Sequence, residues 1–335
     1  MIAEGVRAQF PGASGYLNTA SLGLPPQAAV DAMTAALRDW QAGTATAPGY
    51  DNHVEDARSS FATMVGARTE DVAISAQVSA IVGLVVTVLE PGAPVLVPEG
   101  EFTSVLFPFL TRDDLRLEVS SVPLERLAEA IEPGVAMVAF SLVQSADGRV
   151  ADLAAIRAAA QAHGTLTLAD GTQAAGWLPF RADDYDFTVS GGYKWLLCPR
   201  GTAFMTVRPA LLDRVQPLYA GWYAGADPWD SIYGLPLRLA SDASRLDLSP
   251  AWHAWIGTAV SLRLLNEVGV EAIREHDVGL ANHVREALGL EPSDSPVVSL
   301  GLPSDFDAAR LAGLRTAFRA GRLRAAFHLY NTQDD

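Results

Sequence analysis

Between about residues 70 and 208, short β-like runs alternate with helical ones, and few folds accommodate that alternation. Val72-Ala73-Ile74-Ser75 reads as a strand, followed by an apolar helix from about Val78 to Leu89 that Pro91-Gly92 closes. Pro94 to Val97 is the next strand, with a helix starting near Glu101. Arg116 to Ser121 and Val135 to Leu142 read as strands on either side of a helix over Leu124 to Ile131. Asp152 to His163 reads as a helix stopped by Gly164, since glycine takes the left-handed cap at no steric cost. Thr165 to Ala169 and Phe187 to Ser190 are the last two strands of the series. Strands joined by helices pair in parallel, so the pattern predicts an α/β fold with a mostly parallel sheet and helices on both faces. Such sheets bind ligands beyond the carboxyl ends of their strands. Asp170, Ser190 and Lys194 all fall at or just past such ends.

Further along, Gly221 to Ser249 is an aromatic-rich loop containing Trp222, Tyr223, Trp229 and Tyr233. Ala251 to Val268 reads as a helix stopped at Gly269, and residues from about 270 onward as a smaller α+β unit. The expected division is an N-terminal segment (1–30) packed on the site and the small unit, a large domain (31–250) and a small C-terminal domain (251–335). The closing run Tyr330-Asn-Thr-Gln-Asp-Asp335 ends where Asp-Asp suits the start of another helix, so the full protein is expected to continue.

Composition excludes several functions. With 49% hydrophobic and 19% charged residues over 335 positions, the chain supports a sizeable core. Its formal charge of -15 repels nucleic acid and anionic membranes, so neither is an expected partner. The most apolar stretch, Val72 to Leu89, is interrupted by Ser75, Gln77, Ser79 and Thr87 and is no membrane span. A single cysteine, Cys198, rules out an intramolecular disulfide and any Cys-cluster metal site, and with no signal peptide it fits a reducing cytoplasm. The six histidines are scattered without metal-binding spacing, and no metal is expected. His276 and His283, seven apart, read as one solvated helix face.

Against this background one residue stands apart. Of 24 Lys+Arg only Lys194 is lysine, in Ser190-Gly-Gly-Tyr-Lys-Trp-Leu-Leu-Cys-Pro-Arg-Gly201. Arginine keeps its proton near neutral pH, whereas a lysine can lose it and form a Schiff base with an aldehyde. Asp170, 24 residues earlier in Asp170-Gly-Thr-Gln-Ala-Ala-Gly176, ends an apolar strand where a buried carboxylate needs a cation. The pyridinium nitrogen of pyridoxal phosphate (PLP) is such a cation, and Gln173 is spaced to reach the ring hydroxyl. Alone, Asp170 reads first as a helix cap and Gln173 as a surface residue; the lone lysine on the next strand end turns the reading to the cofactor. Gln77-Val78-Ser79 opens a helix, whose free N–H groups suit a phosphate, although an ordinary serine cap looks the same. Phe102 is placed either to stack on a flat ring or to fill the core.

These pieces together resemble the class V aminotransferase-type PLP enzymes, the cysteine desulfurase superfamily of fold type I. The likeness runs from Tyr16-Leu-Asn-Thr-Ala20 to Tyr330-Asn-Thr332, nearly the whole chain. It implies a large domain with a seven-stranded sheet plus a small α+β domain, and PLP as cofactor. It further implies that Lys194 is the covalent anchor, with Asp170 on the ring nitrogen, Gln173 on the phenolate oxygen and Phe102 stacking. Val78, Ser79 and Ser190 correspond to phosphate-holding positions. Enzymes of this type are usually homodimers with shared sites, and Ser249 corresponds to a hydroxyl offered by the neighbouring subunit. Arg324 corresponds to the arginine that clamps the substrate α-carboxylate, with Arg322 as its nearest rival and Asn18 touching the same group.

Two departures bear on the reaction. Relatives often carry His before the lysine, where this chain has Tyr193, a candidate substrate contact. Desulfurases also need a mobile cysteine shortly before the arginine segment, and none occurs between Gly269 and Arg324. Persulfide transfer to the protein is therefore not expected. Tyr193–Phe204, Ala220–Gly225 and Ser249–Trp252 resemble the C–S lyases of ergothioneine biosynthesis and isopenicillin-N-epimerase-like proteins. The former β-eliminate hercynylcysteine sulfoxide, releasing a sulfenate and leaving pyruvate and ammonia. Trp222 would meet a cationic trimethylammonium group by cation–π contact, or else pack at a dimer interface. The expectation is a PLP-dependent C–S lyase; the alternatives are a class V aminotransferase, an epimerase-like enzyme, or a binding protein that keeps the fold without catalysis.

Overall fold

In the computed structural model, residues 2–303 and 311–335 are described. A seven-stranded sheet forms the large unit, in the order β1-β7-β6-β5-β4-β2-β3. Its strands are β1 (Val72–Ser75), β2 (Pro94–Pro98), β3 (Glu118–Val122), β4 (Met137–Ser141), β5 (Leu166–Asp170), β6 (Phe187–Gly191) and β7 (Ala203–Val207). Neighbours from β3 through β6 pair in parallel, and β7 lies antiparallel between β6 and β1. The carboxyl ends of β1, β2, β4, β5 and β6 therefore open on one edge. This is the mostly parallel α/β sheet that the alternation of strands and helices predicts.

Burial on both faces explains why the strands are so apolar. In β4, Met137 and Ala139 join one core while Val138 and Phe140 join the other. The first core lies under helices Val78–Val85 and Thr103–Leu110. The second lies under helices Asp51–Val65 and Trp252–Val268, where Phe61 stacks on Phe204 at 4.2 Å and Trp255 meets Phe204 edge-on at 5.3 Å. Each such aromatic contributes about 1.5–3 kcal/mol by leaving water. Arg58 and Asp247, both buried, pair at 2.7 Å, and Asp247 accepts from the Ile74 N–H, which fixes the Asp247–Ser249 run beside β1.

Three local expectations change. The strand after Arg116 starts at Glu118, because Arg116 takes a left-handed φ of 48° that a strand cannot continue. Leu124 to Ile131 forms only a 3₁₀ turn, Leu124–Arg126, and then irregular turns, although Leu124, Leu127 and Ile131 are buried as a helix would bury them. The segment is short for a stable helix, and Pro133 turns the residue before it away from helical geometry. Strand β7 has no counterpart in the βα rhythm, since it returns antiparallel from the lysine loop without a crossover helix.

The second sheet is small, with order β8-β10-β9: β8 (Val297–Leu300), β9 (Ala317–Arg319) and β10 (Arg322–Ala326), all antiparallel. Helix Val270–Ala287 packs on β8. The N-terminal segment reaches this sheet through the bridge Asn18↔Ala326 at the end of β10, and bridges Arg315 just before β9 through Tyr16. Among the described residues no helix is long and apolar enough to cross a membrane.

Candidate active site

Lys194 stands in the loop between β6 and β7, held closed by Gly192 N–H on Thr202 O (2.9 Å) and Cys198 N–H on Gly192 O (3.0 Å). The chain passes so close that a Cβ on Gly192 would lie 2.6 Å from Thr202 Oγ1. The N-terminal segment lies on the loop as tightly, for a Cβ on Gly23 would sit 2.0 Å from the carbonyl oxygen of Lys194. Close contact from both sides fixes where the side chain leaves the loop.

That side chain enters a cavity of about 230 Å³ at the carboxyl edge of the sheet. Lys194 is 5% exposed, with Nζ 5.2 Å from the Phe102 ring centroid and 5.7 Å from that of Tyr193. Burial pulls its pKa down to about 8; Asp170 opposes that pull, while Arg324 and Arg319 add to it. Asp170 ends β5 on the cavity wall, 4% exposed, and accepts the Thr172 N–H at 2.7 Å. Burial pushes its carboxyl above the usual range, against the Thr172 hydrogen bond and the attraction of Lys194. Gln173 also lines the wall. Its Oε1 accepts from Trp195 Nε1 at 2.7 Å, and its Nε2 donates to Ala20 O at 3.0 Å and Ser145 Oγ at 3.1 Å.

Opposite, Val78 and Ser79 open helix Val78–Val85 on the cavity, and Gln77 caps it without any side-chain hydrogen bond. Its first N–H groups thus face the cavity unfilled by a cap. Phe102 is 41% exposed, which removes the core reading, and its ring faces Lys194. Tyr193 lines the cavity and stacks under Arg200 at 5.1 Å; burial raises its phenol pKa.

Other expected residues fall elsewhere. Ser190 does not reach the cavity: strands alternate faces, so the neighbouring Gly191 lines the wall while Ser190 Oγ is buried on the other side without a partner. Ser249 is exposed on the surface after Leu248, which bonds Ile74 O on β1. Trp222 packs against Trp229 at 4.9 Å and Tyr223 at 5.2 Å, away from this cavity, with the loop tied down by Trp229 and Tyr223 on Asp51. Arg324 is 1% exposed and donates to Ser145, itself on the cavity wall, and to Ser21 Oγ at 2.7 Å. Arg322 instead turns to Ser299 on β8, so the two arginines separate. Asn18 is half-buried beside Ala326, with a buried Oδ1 that has no partner.

One residue escaped the sequence reading. Glu101, 6% exposed, accepts from Ser141 Oγ (2.5 Å), Ser141 N–H (2.8 Å), Phe102 N–H (2.7 Å) and Gln144 Nε2 (3.3 Å). It ties the loop carrying Phe102 to the end of β4, and burial raises its carboxyl pKa. The only signal was an acid at a strand end directly before Phe102.

The residues present fit PLP. A buried carboxylate with a single backbone donor suits a ring N–H, an uncapped helix start suits a phosphate, and a buried amine with lowered pKa suits an aldehyde. Comparison with known proteins agrees. A sequence profile described as aminotransferase class-V matches residues 16–295. Isopenicillin N epimerase of Streptomyces clavuligerus is 30% identical over 327 residues, covering 83% of this chain and 81% of that protein. By fold, the chain resembles a cysteine desulfurase from Thermococcus onnurineus NA1 (TM-score 0.84, 20% identity, 99% of this chain and 94% of that one). It equally resembles the cystine C-S lyase C-DES, solved with its product cysteine persulfide (TM-score 0.85, 19% identity, 97% of each chain). With its profile, fold and cavity in agreement, the chain belongs to the class-V aminotransferase family and is a PLP-dependent enzyme.

Proposed function

We propose that the chain is a C–S lyase that β-eliminates the sulfur substituent of an S-substituted cysteine or cysteine sulfoxide. Hercynylcysteine sulfoxide, of ergothioneine biosynthesis, is the first substrate to try. The observation that carries this reading is Cys198. It is the chain's one cysteine, 4% exposed, with its thiol on Leu196 O and its pKa pushed up by burial. It does not line the cavity. No thiol of the chain is thus disposed to accept sulfur, and the sulfur must leave on a small product.

In this reading Lys194 anchors PLP, Asp170 meets the ring nitrogen, Gln173 meets the ring oxygen by turning one Nε2–H away from Ser145 Oγ, Phe102 meets the ring face, and Val78 with Ser79 the phosphate. Held by these residues, PLP would supply the electron sink that acidifies the substrate's Cα proton. Once the substrate's amino group has displaced it from the cofactor, the freed Lys194 Nζ can take that proton, and the free amine's pKa of about 8 leaves a useful fraction uncharged near neutrality. The Cβ–S bond then breaks with its electron pair on sulfur, which departs as a sulfenate or thiolate, and hydrolysis of the remainder gives pyruvate and ammonia. Arg324 and Asn18 hold the substrate α-carboxylate, with Tyr193 flanking it.

We further infer a homodimer in a reducing cytoplasm. Tyr233 (87% exposed), Leu235 (92%) and Leu237 (76%) form an apolar run that a second copy would cover. Exposed Ser249, and Trp222 from the same region, would act in the partner's cavity. A second reading, racemisation at Cα or amino transfer, is favoured by the 30% identity to an isopenicillin N epimerase.

The test is direct. PLP-loaded protein is incubated with S-substituted cysteine sulfoxides, and pyruvate, D-isomer and transferred amine are each measured. Pyruvate in proportion to substrate consumed supports the lyase. Inversion at Cα or amino transfer to an added 2-oxo acid, without pyruvate, removes it. A protein that binds no PLP removes both enzyme readings.

A further inference from the structure

We propose that Arg319 is a second anion-binding arm beside Arg324, and that the substrate carries a second acidic group on its sulfur substituent; this rests on reading the site as one for S-substituted cysteines. Arg324 lies on β10, the central strand of the small sheet, and is 1% exposed. One end of its guanidinium donates to Ser145, and the other donates to Ser21 Oγ at 2.7 Å. Arg319, exposed on β9, donates to the same Ser21 Oγ at 3.3 Å. Two guanidiniums therefore meet on one neutral hydroxyl.

Among the described residues neither guanidinium has a carboxylate partner, and the buried Nε of Arg324 has no hydrogen-bond partner at all. The chain is rich in acids, with 39 Asp+Glu against 24 Lys+Arg, so a buried arginine without one is a local choice. A buried charge without a counter-charge is costly, and a like charge beside it raises the cost. Burial, and then Arg319, pull the Arg324 pKa down to about 10. A bound anion relieves both effects, and the planar guanidinium favours a carboxylate or similar oxyanion.

The arrangement is graded. Ser145 lines the cavity, Arg324 spans from Ser145 to Ser21, and Arg319 lies beyond Ser21. A substrate α-carboxylate engages the inner arginine. An acidic group further from Cα meets the outer one, where water and salt weaken the contact without abolishing it.

The test uses Lys194→Ala protein, which lacks both the base for turnover and the covalent anchor, reconstituted with PLP and shown by its absorbance to retain the cofactor, in calorimetric titration with S-carboxymethylcysteine and S-methylcysteine. Arg319→Gln and Arg319→Lys are made in the same background; the side chain is exposed, so neither change empties the core. The expected result is about ten-fold tighter binding of the carboxymethyl compound, lost in Arg319→Gln, partly kept in Arg319→Lys and reduced by added salt. S-methylcysteine should bind Arg319→Gln as it binds the parent. Equal affinities in the parent overturn the proposal. So does an equal loss for both ligands in Arg319→Gln, which would give Arg319 to the shared α-carboxylate. If neither compound binds, the reading of the site for S-substituted cysteines fails, and this proposal fails with it.

Discussion

His328 Nδ1 lies 2.7 Å from Asp277 Oδ2, and its Nε2 lies 3.0 Å from the carbonyl oxygen of Trp195, the residue after Lys194. Both side chains are fully buried, and Asp277 Oδ1 has no partner. A carbonyl only accepts, so Nε2 donates to it, and the proton between Nδ1 and Asp277 completes a linked pair. The small unit thereby braces the backbone of the lysine loop.

Removing the imidazole should therefore be severe. His328→Ala leaves the Asp277 carboxyl and the Trp195 carbonyl buried without their partner, and should cost about 3–5 kcal/mol. Asp277→Asn should cost clearly less, because an amide can still donate to Nδ1. Urea unfolding of the PLP-loaded protein measures both, and a His328→Ala loss below about 1 kcal/mol would refute the brace.

Lys194 gives the apoprotein a stability that depends on pH. Its folded pKa of about 8 lies below the ordinary 10.5 of the unfolded chain. Below pH 8 both states hold the proton, and folding bears the whole cost of burying the cation. Between about 8 and 10.5 the unfolded chain binds more protons than the folded one, so stability rises with pH. The rise amounts to roughly 3 kcal/mol at most. Lys194→Met should lack it. The measurement is the difference in unfolding free energy between apo wild type and apo variant at pH 7 and pH 10; parallel curves would contradict it.

Glu101→Gln tests whether the buried glutamate organises the ring-facing loop. An amide NH₂ cannot accept, so at least one donor among Ser141 N–H, Ser141 Oγ–H, Phe102 N–H and Gln144 Nε2 loses its partner. The expected cost is about 1–3 kcal/mol in stability, together with weaker PLP binding as the Phe102 loop loosens. Thermal unfolding of the apoprotein and a PLP titration separate the two. Unchanged values in both would leave Glu101 with no role in the loop.

Much of this site was legible because chemistry restricts residue type. One lysine in the chain, an Asp at a strand end and a Gln three residues on need no long-range information to be noticed, and all three line one cavity. Ser190 shows the limit: a shift of one residue along a strand moves a side chain to the other face, and sequence does not set that register. Glu101 was obscure for a different reason. Its donors include Ser141 and Gln144, 40 and 43 residues away, and a carboxylate satisfied by distant groups leaves no local pattern. The same holds for Arg58 and Asp247, which are 189 residues apart. Strand β7 was missed because an antiparallel return breaks the βα rhythm on which the other strands were read.

On the lyase reading, the burial of Cys198 bears on how sulfur leaves. Its thiol is buried within the lysine loop, donating to Leu196 O at 3.1 Å, and burial holds it protonated. A nucleophilic or sulfur-accepting cysteine needs an accessible thiolate, and this one is neither accessible nor ionised. Cys198→Ala should therefore retain pyruvate formation within about two-fold and lose about 1 kcal/mol of stability for the missing buried atom. Iodoacetamide should leave the folded wild type unlabelled and modify it only after unfolding. Loss of activity in a variant that still binds PLP and unfolds near the wild-type temperature would show sulfur passing through the protein. That outcome would replace the lyase with a desulfurase using a thiol in a place no sequence spacing predicted.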